Sequence, residues 1–203
     1  MKNLIKKLLR ESLLGEVAIN QSNISEDIGL FLLPGNTIVL YDMVEYDDSD
    51  RYVGVKGTIT IRDENGRYSV NKVAALKGYG PIMYELAMQH VYPKPLVSDR
   101  EGDTRQGAIN IINKFVSGIN PNIDVVKLTP GDKYYVDCLD FGCVDSDPEF
   151  FNAHNAELSM ADKSLYIKLK TEGDEFLDDV GHEFIDELED LAGNFFDEMY
   201  STS

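Results

Sequence analysis

The chain reads as an α/β (α+β) protein with a mixed, mostly antiparallel central sheet, flanking helices and an added long carboxyl-terminal acidic helix. Three stretches carry that expectation. Thr37 to Leu76 holds three β-rich runs joined by short turns. The third run ends at Lys77-Gly78-Tyr79-Gly80-Pro81, and a helix-like run follows it. Asp174 to Tyr200 repeats apolar residues every three or four positions on an acidic background.

Size and composition set the frame. A chain of 203 residues suits one domain with extensions, or at most two small ones, and 43% hydrophobic residues suffice for a core. The expected division is an amphipathic amino-terminal helix and lead-in over 1–36, a sheet domain over 37–170, and an acidic helix over 171–203. The net charge of −17 argues against binding of the whole protein to nucleic acid or an anionic membrane, because phosphate would be repelled. Cys138 and Cys143 form neither a disulfide framework nor a CxxC pair, which points to a reducing, cytoplasmic compartment. His154 is the nearest histidine, so no metal is expected there. No run of 18 apolar residues occurs, so no transmembrane helix is expected.

The amino-terminal segment contains an amphipathic helix candidate, Lys2 to Leu14. Leu4, Ile5, Leu8, Leu9 and Leu13 form its stripe, and Lys2, Lys6, Lys7 and Arg10 make the other face basic. It is too polar for a secretory signal. Its alternatives are packing on the domain or on the acidic helix, or docking a partner. Gly29 to Leu33 is a short apolar run that stops at Pro34-Gly35.

Strands are then expected over Thr37–Tyr46, Tyr52–Arg62 and Arg67–Leu76. Asp63-Glu64-Asn65-Gly66 joins the last two as a hairpin, with Asn-Gly supplying positive φ angles. The acidic Asp47-Asp48-Ser49-Asp50 lacks the glycine and terminal glutamate of an EF-hand and reads as a solvated turn.

The glycine turn is the chemical feature of the chain. Gly78 and Gly80 let backbone approach a ligand closely. Amides at the start of the following helix point outward, where the helix dipole favours an anion. Pro81 fits a first helical turn, which needs no amide from it. An apolar strand, Ser98-Asp99-Arg100 and a second helix from Asp103 or Thr104 complete a grammar suited to a phosphate-bearing ligand.

This order of elements resembles the GNAT superfamily of N-acetyltransferases. There a meander leads to a strand ending in Arg/Gln-x-x-Gly-x-Gly/Ala, whose amides hold the acyl-coenzyme A pyrophosphate. Ala75-Leu76-Lys77-Gly78-Tyr79-Gly80 keeps both glycines and has Ala75 at the first position. The family's next helix often carries Asn-x-x-Ala-x-x-x-Tyr. Here Ala108 matches, Arg105 stands for asparagine and Ile112 for tyrosine. The phrases KGYGPIMYELAM and LVSDR resemble GNAT-like proteins of tailed bacteriophages.

The resemblance implies a fold, a cofactor and roles. Val73, Ala74, Ala75, Lys77, Gly78, Tyr79 and Gly80 would hold acetyl-coenzyme A. A carboxylate or a water would assist as base, with Asp99, Glu45 and Asp63 as candidates and Asp99 the best placed. The family's tyrosine protonates the leaving thiolate, which Ile112 cannot do. Tyr134, Tyr135 and Tyr166 are the tyrosines that could replace it.

Beyond Ser117, strands are expected at Asn122–Leu128, Lys133–Leu139 and Ser164–Lys170, the last completing the sheet, with a short helix over Glu149–Ala156. The helix from Asp174, with Asp174 as its N-cap, carries Leu177, Val180, Phe184, Leu188, Leu191, Phe195 and Met199 on one face. The functions in view are therefore an acyl-coenzyme A-dependent N-acyltransferase, active on an amine acceptor or catalytically degenerate, and a non-enzymatic phage protein. The latter would act by binding, in the virion or on a host factor, through its terminal helices. An acidic DNA mimic is the third.

Overall fold

Four successive strands build one antiparallel meander: β1 (Ile28–Leu33), β2 (Thr37–Asp42), β3 (Val55–Asp63) and β4 (Tyr68–Ala75). The computed structural model describes residues 24, 27–43, 54–99, 106–137, 148–180 and 182–201. After β4 come α1 (Gly80–Val91), β5 (Leu96–Val97), α2 (Gln106–Val116), β6 (Asp124–Lys127), α3 (Pro148–His154), β7 (Ala156–Ser159), α4 (Ser164–Val180) and α5 (His182–Ser201). The seven strands lie in the order β1-β2-β3-β4-β5-β7-β6. Among the described residues only β4 and β5 pair in parallel, so the sheet is mixed and mostly antiparallel.

Turn chemistry explains the meander. Leu33 pairs with Thr37 across Pro34-Gly35-Asn36, where Gly35 and Asn36 hold φ of 81° and 59°. Asn65 and Gly66, at φ 53° and 123°, make the two-residue turn between β3 and β4. Lys56 and Asn71 are extra residues at register shifts in β3 and β4. The Asn71 bulge puts Val70 and Val73 on one face, opposite Ile61 and Ile59. Without it, alternation would send one of them to the other side.

Each face of the sheet has its own apolar cluster. The larger joins Ile28, Leu30, Ile38, Leu40, Ile59, Ile61, Val70 and Leu96 to Ile82, Met83 and Leu86 of α1 and Ile109, Ile112 and Phe115 of α2. The smaller joins Leu33, Val39, Tyr41 and Val55 to Leu177 of α4 and Phe184, Leu188 and Ala192 of α5. Helix α4 links them. Leu169 lies in the first cluster, Gly173 against the β1 backbone, and Leu177 in the second. Four-residue steps align these three on one stripe, so α4 crosses the edge of β1 and covers the outermost strand. The Tyr41 hydroxyl donates to Gly173 O at 3.1 Å, and burial pushes its proton affinity far up.

Several expectations need correction. Ser164–Lys170 is the first half of α4, not a strand. Ser164 N donates to Asp162 Oδ1 at 2.9 Å, which starts the helix, and the helical period leaves Ile167 58% exposed while Leu169 is buried. The late strand of the sheet is Ala156–Ser159 instead. The acidic run from Asp174 falls within α4, which already starts at Ser164, and α5, which runs from His182 to Ser201; residue 181 between them lies outside the described residues. Asp174 is inside α4, paired with Lys170, rather than an N-cap. Within Lys133–Leu139 the described part, Lys133–Asp137, is turn and coil. Asn155 takes the place of a partner strand there, accepting from Val136 N at 2.8 Å and donating to Val136 O at 3.1 Å.

The sheet begins at Ile28, ahead of residue 37, and residue 170 falls inside α4. Lys2–Leu14, Asp47–Asp50, Cys138 and Cys143 lie outside the described residues. Among the described residues, no helix is long and apolar enough to cross a membrane.

The α4 crossing generates a sharp prediction. A Cβ at Gly173 would sit 2.6 Å from Leu30 O and 2.9 Å from Leu30 N, both backbone atoms. Gly173→Ala is expected to cost about 1–3 kcal/mol of stability by overpacking, although alanine favours the helix by roughly 1 kcal/mol. Gly193→Ala in α5, where nothing lies within 4 Å of an added Cβ, is expected to be neutral or stabilising. Urea unfolding of both variants checks this, and equal midpoint shifts would remove the close crossing of α4 over β1.

Candidate functional site: the fork between β4 and β5

Strand β4 is where the sheet changes direction of pairing. Its parallel partner meets it only at Tyr68↔Leu96 and Ser69↔Val97, while β4 itself runs on to Ala75. The two strands therefore form a fork whose open end lies at the carboxyl end of β4. The Leu76 amide donates to Lys56 O of β3 at 2.9 Å. Backbone alternation turns the Ala75 amide and carbonyl the other way, toward the fork.

The glycine turn closes that end of β4. Tyr79 N donates to Leu76 O at 3.0 Å, and Gly78 holds φ of 95°, where a side chain would be strained. Helix α1 then starts at Gly80 with Pro81 in its first turn. Its N-cap is Tyr79, which has no side-chain capping hydrogen bond, and its first turn holds no acidic residue. First-turn amides lack partners within their own helix, and the dipole there favours an anion.

Close packing fixes where that helix end sits. A Cβ at Gly57 of β3 would meet Met83 Sδ at 2.8 Å, and one at Gly80 would meet Ile111 Cδ1 at 2.9 Å. Small residues thus bring the start of α1 down onto the sheet beside α2. Farther along α1, Glu85 is buried, and its Oε1 accepts from Asn120 Nδ2 at 2.9 Å. Burial pushes this carboxyl above its ordinary value, and the Asn120 hydrogen bond opposes that shift. At the other end of α1, His90 Nδ1 and the Tyr166 hydroxyl share a hydrogen bond of 2.9 Å. Burial, then Lys163 and Lys170, holds the His90 ring below its usual value.

The expected cofactor residues fall on one continuous path. Val73 and Ala75 pack toward the α1 cluster, and Ala74 is buried on the alternate face, beside Thr58 in register. Lys77 is exposed on the turn, and Tyr79 packs partly against the core. Asp99 is half-buried, two residues past the end of β5. Glu45 lies outside the described residues.

Other expected candidates are placed away from the turn. Asp63 sits at the opposite end of the sheet, where Lys94 binds it at 2.9 Å and holds its carboxyl below the usual range. Ile112 is 1% exposed in the core. Tyr134 lies under the Arg67 guanidinium at 3.7 Å, Tyr135 packs edge-on against Phe151, and Tyr166 is held by His90. Among the described residues, no group of three or more His, Cys, Asp or Glu is arranged to hold a metal.

One feature of the fork has no signal in the sequence. Ser98 directly follows β5, is 3% exposed, and its Oγ has no hydrogen-bond partner among the described residues. A lone serine beside a strand end carries no pattern that would single it out. Compared with known protein families, curated proteins and solved structures, the chain matches none.

The buried Glu85 gives a prediction with a definite sign. Its folded-state proton affinity exceeds that of the unfolded chain. Its contribution to stability is therefore full below the ordinary carboxyl value and is lost as pH rises through the folded one. Glu85→Gln keeps an oxygen for Asn120 and removes the titration. Thermal melts between pH 4 and pH 8 are expected to show the variant gaining on the wild type as pH rises. A difference that stays constant with pH would contradict the raised proton affinity of the buried carboxyl.

Proposed function

We propose that the chain is a GNAT-like protein of the kind encoded by tailed bacteriophages, whose fork and glycine turn bind acetyl-coenzyme A, and that it is an acyl-coenzyme A-dependent N-acyltransferase. The observation that carries this reading is the fork itself. β4 outruns its parallel partner and ends in a glycine turn that opens a helix. A ligand with an anionic diphosphate and a linear amide-bearing arm suits both parts. The diphosphate meets the amides at Gly78, Gly80 and the start of α1. The arm lies along β4 from Ala75, using backbone polar groups that face the fork.

The coenzyme would supply a thioester for an amine to attack. The chain's part is to hold the arm, orient the carbonyl and accept a proton from the amine. Asp99 and Glu45 are the carboxylates proposed for the last task, directly or through a water. Lys77, exposed on the turn, adds a cation for the diphosphate.

A second reading is favoured by Ile112. It occupies the position of the family's proton donor and is sealed in the core. On this reading the protein binds coenzyme, or only a macromolecular partner, without turnover, in the virion or on a host factor in the cytoplasm. The acidic α5 and the basic Lys2–Leu14 segment are the natural contacts for that role.

Calorimetry with acetyl-coenzyme A tests the first reading. Binding is expected in the wild type and is expected to vanish in Gly80→Glu, whose carboxylate opposes the diphosphate at the helix start. No heat at high micromolar ligand would exclude the acyltransferase. Binding without thiol release, over a panel of amines, would select the second reading.

A further inference from the structure

The geometry points to Ser98 as the residue that receives the far end of the ligand, its hydroxyl donating to the thioester carbonyl oxygen. This inference rests on the coenzyme reading above. Ser98 stands at the closed end of the fork, immediately after the last parallel pair, Ser69↔Val97. Were β5 to continue in register, Ser98 would face Val70 across the gap. The stretch from Val70 to Leu76 rises about 20 Å at strand geometry. A linear ligand anchored at the glycine turn and laid along β4 therefore brings its distal end to Ser98.

The hydroxyl is placed for such a partner rather than for the fold. Buried hydroxyl groups are ordinarily hydrogen-bonded, because leaving one unmade is unfavourable. Ser98 Oγ is fully enclosed and has no partner among the described residues. Thr58 Oγ1 is also buried without a partner, but it lies within the β3–β4 ladder opposite Ala74, not at the fork. Arg67 Nη1 and Glu172 Oε2 belong to side chains already paired locally, Arg67 with Glu64 and Glu172 with Lys168. Among the described residues, Ser98 alone combines an unmade hydrogen bond with a position at the end of the path. A serine hydroxyl donates one proton, and the acceptor at that end of an acyl-coenzyme A is the thioester oxygen.

The test compares two ligands on the full chain. Acetyl-coenzyme A carries the thioester carbonyl, and coenzyme A carries a thiol in its place. Ser98→Ala is expected to weaken acetyl-coenzyme A by about tenfold, the worth of one hydrogen bond, and to leave coenzyme A unchanged. Its melting temperature without ligand is expected to equal or exceed that of the wild type, since the removed hydroxyl had no partner. Unchanged affinity for both ligands, or an equal loss for both with a lowered melting temperature, overturns the assignment and leaves the coenzyme reading standing. A wild-type chain that binds neither ligand overturns both.

Discussion

The parallel pairing of β4 with β5 is the constraint on which the architecture depends. A strand with antiparallel neighbours on both sides would be used along its whole length. β4 has its antiparallel neighbour on one side and two residues of parallel pairing on the other. A parallel return also requires a crossover, which α1 provides over the face carrying the larger cluster. The fork, the helix start at its mouth and the buried serine at its base follow from that geometry. The Asn71 bulge matters here because it keeps Val70 and Val73 on the same face beneath α1.

The opposite face is closed by other means. Helix α4 leaves the α1 side, where Gln89 Oε1 accepts from Tyr166 N at 2.9 Å and His90 bonds the Tyr166 hydroxyl. It then passes β1 at Gly173 and delivers Leu177 to the second cluster. One helix thereby covers an open strand edge and joins the two cores. Its backbone approach to Leu30 requires glycine, a need that helix propensity alone would argue against. The acidic face of α5 is what remains outward once Phe184, Leu188 and Ala192 are buried.

The candidate site divides by how its parts announce themselves. Gly78, Gly80 and Pro81 stand out because backbone geometry restricts which residues fit a turn and a helix start. Ile112 stands out only against the pattern the chain resembles, and the structure places it in the core among the apolar residues of the larger cluster. Ser98 does not stand out, because an unmade hydrogen bond is a property of surroundings. Glu85 is equally silent, since α1 reads as amphipathic whether its glutamate faces water or Asn120.

The sequence by itself determined three of the four meander strands, the Asn65-Gly66 hairpin turn, the glycine turn and the first helix, but not β1 as a strand of the sheet. In each case the cue is local: alternation over a strand, positive φ at a turn, a missing amide at a helix start. Among the later elements it also marked α2, β6 and α3, but not β7 or α4. Leu165-Tyr166-Ile167-Lys168-Leu169 alternates like a strand, yet Asp162 starts a helix there and α1 and β1 provide its groove. Lys133–Asp137 also alternates, yet the Asn155 side chain satisfies Val136 and no strand forms. Both outcomes depend on residues distant in the chain or on caps just outside the run. The pairing of β7 between β5 and β6 and the crossing of α4 at Gly173 were likewise decided only by tertiary packing, because pairing partners and close backbone contacts leave no periodic mark on a sequence.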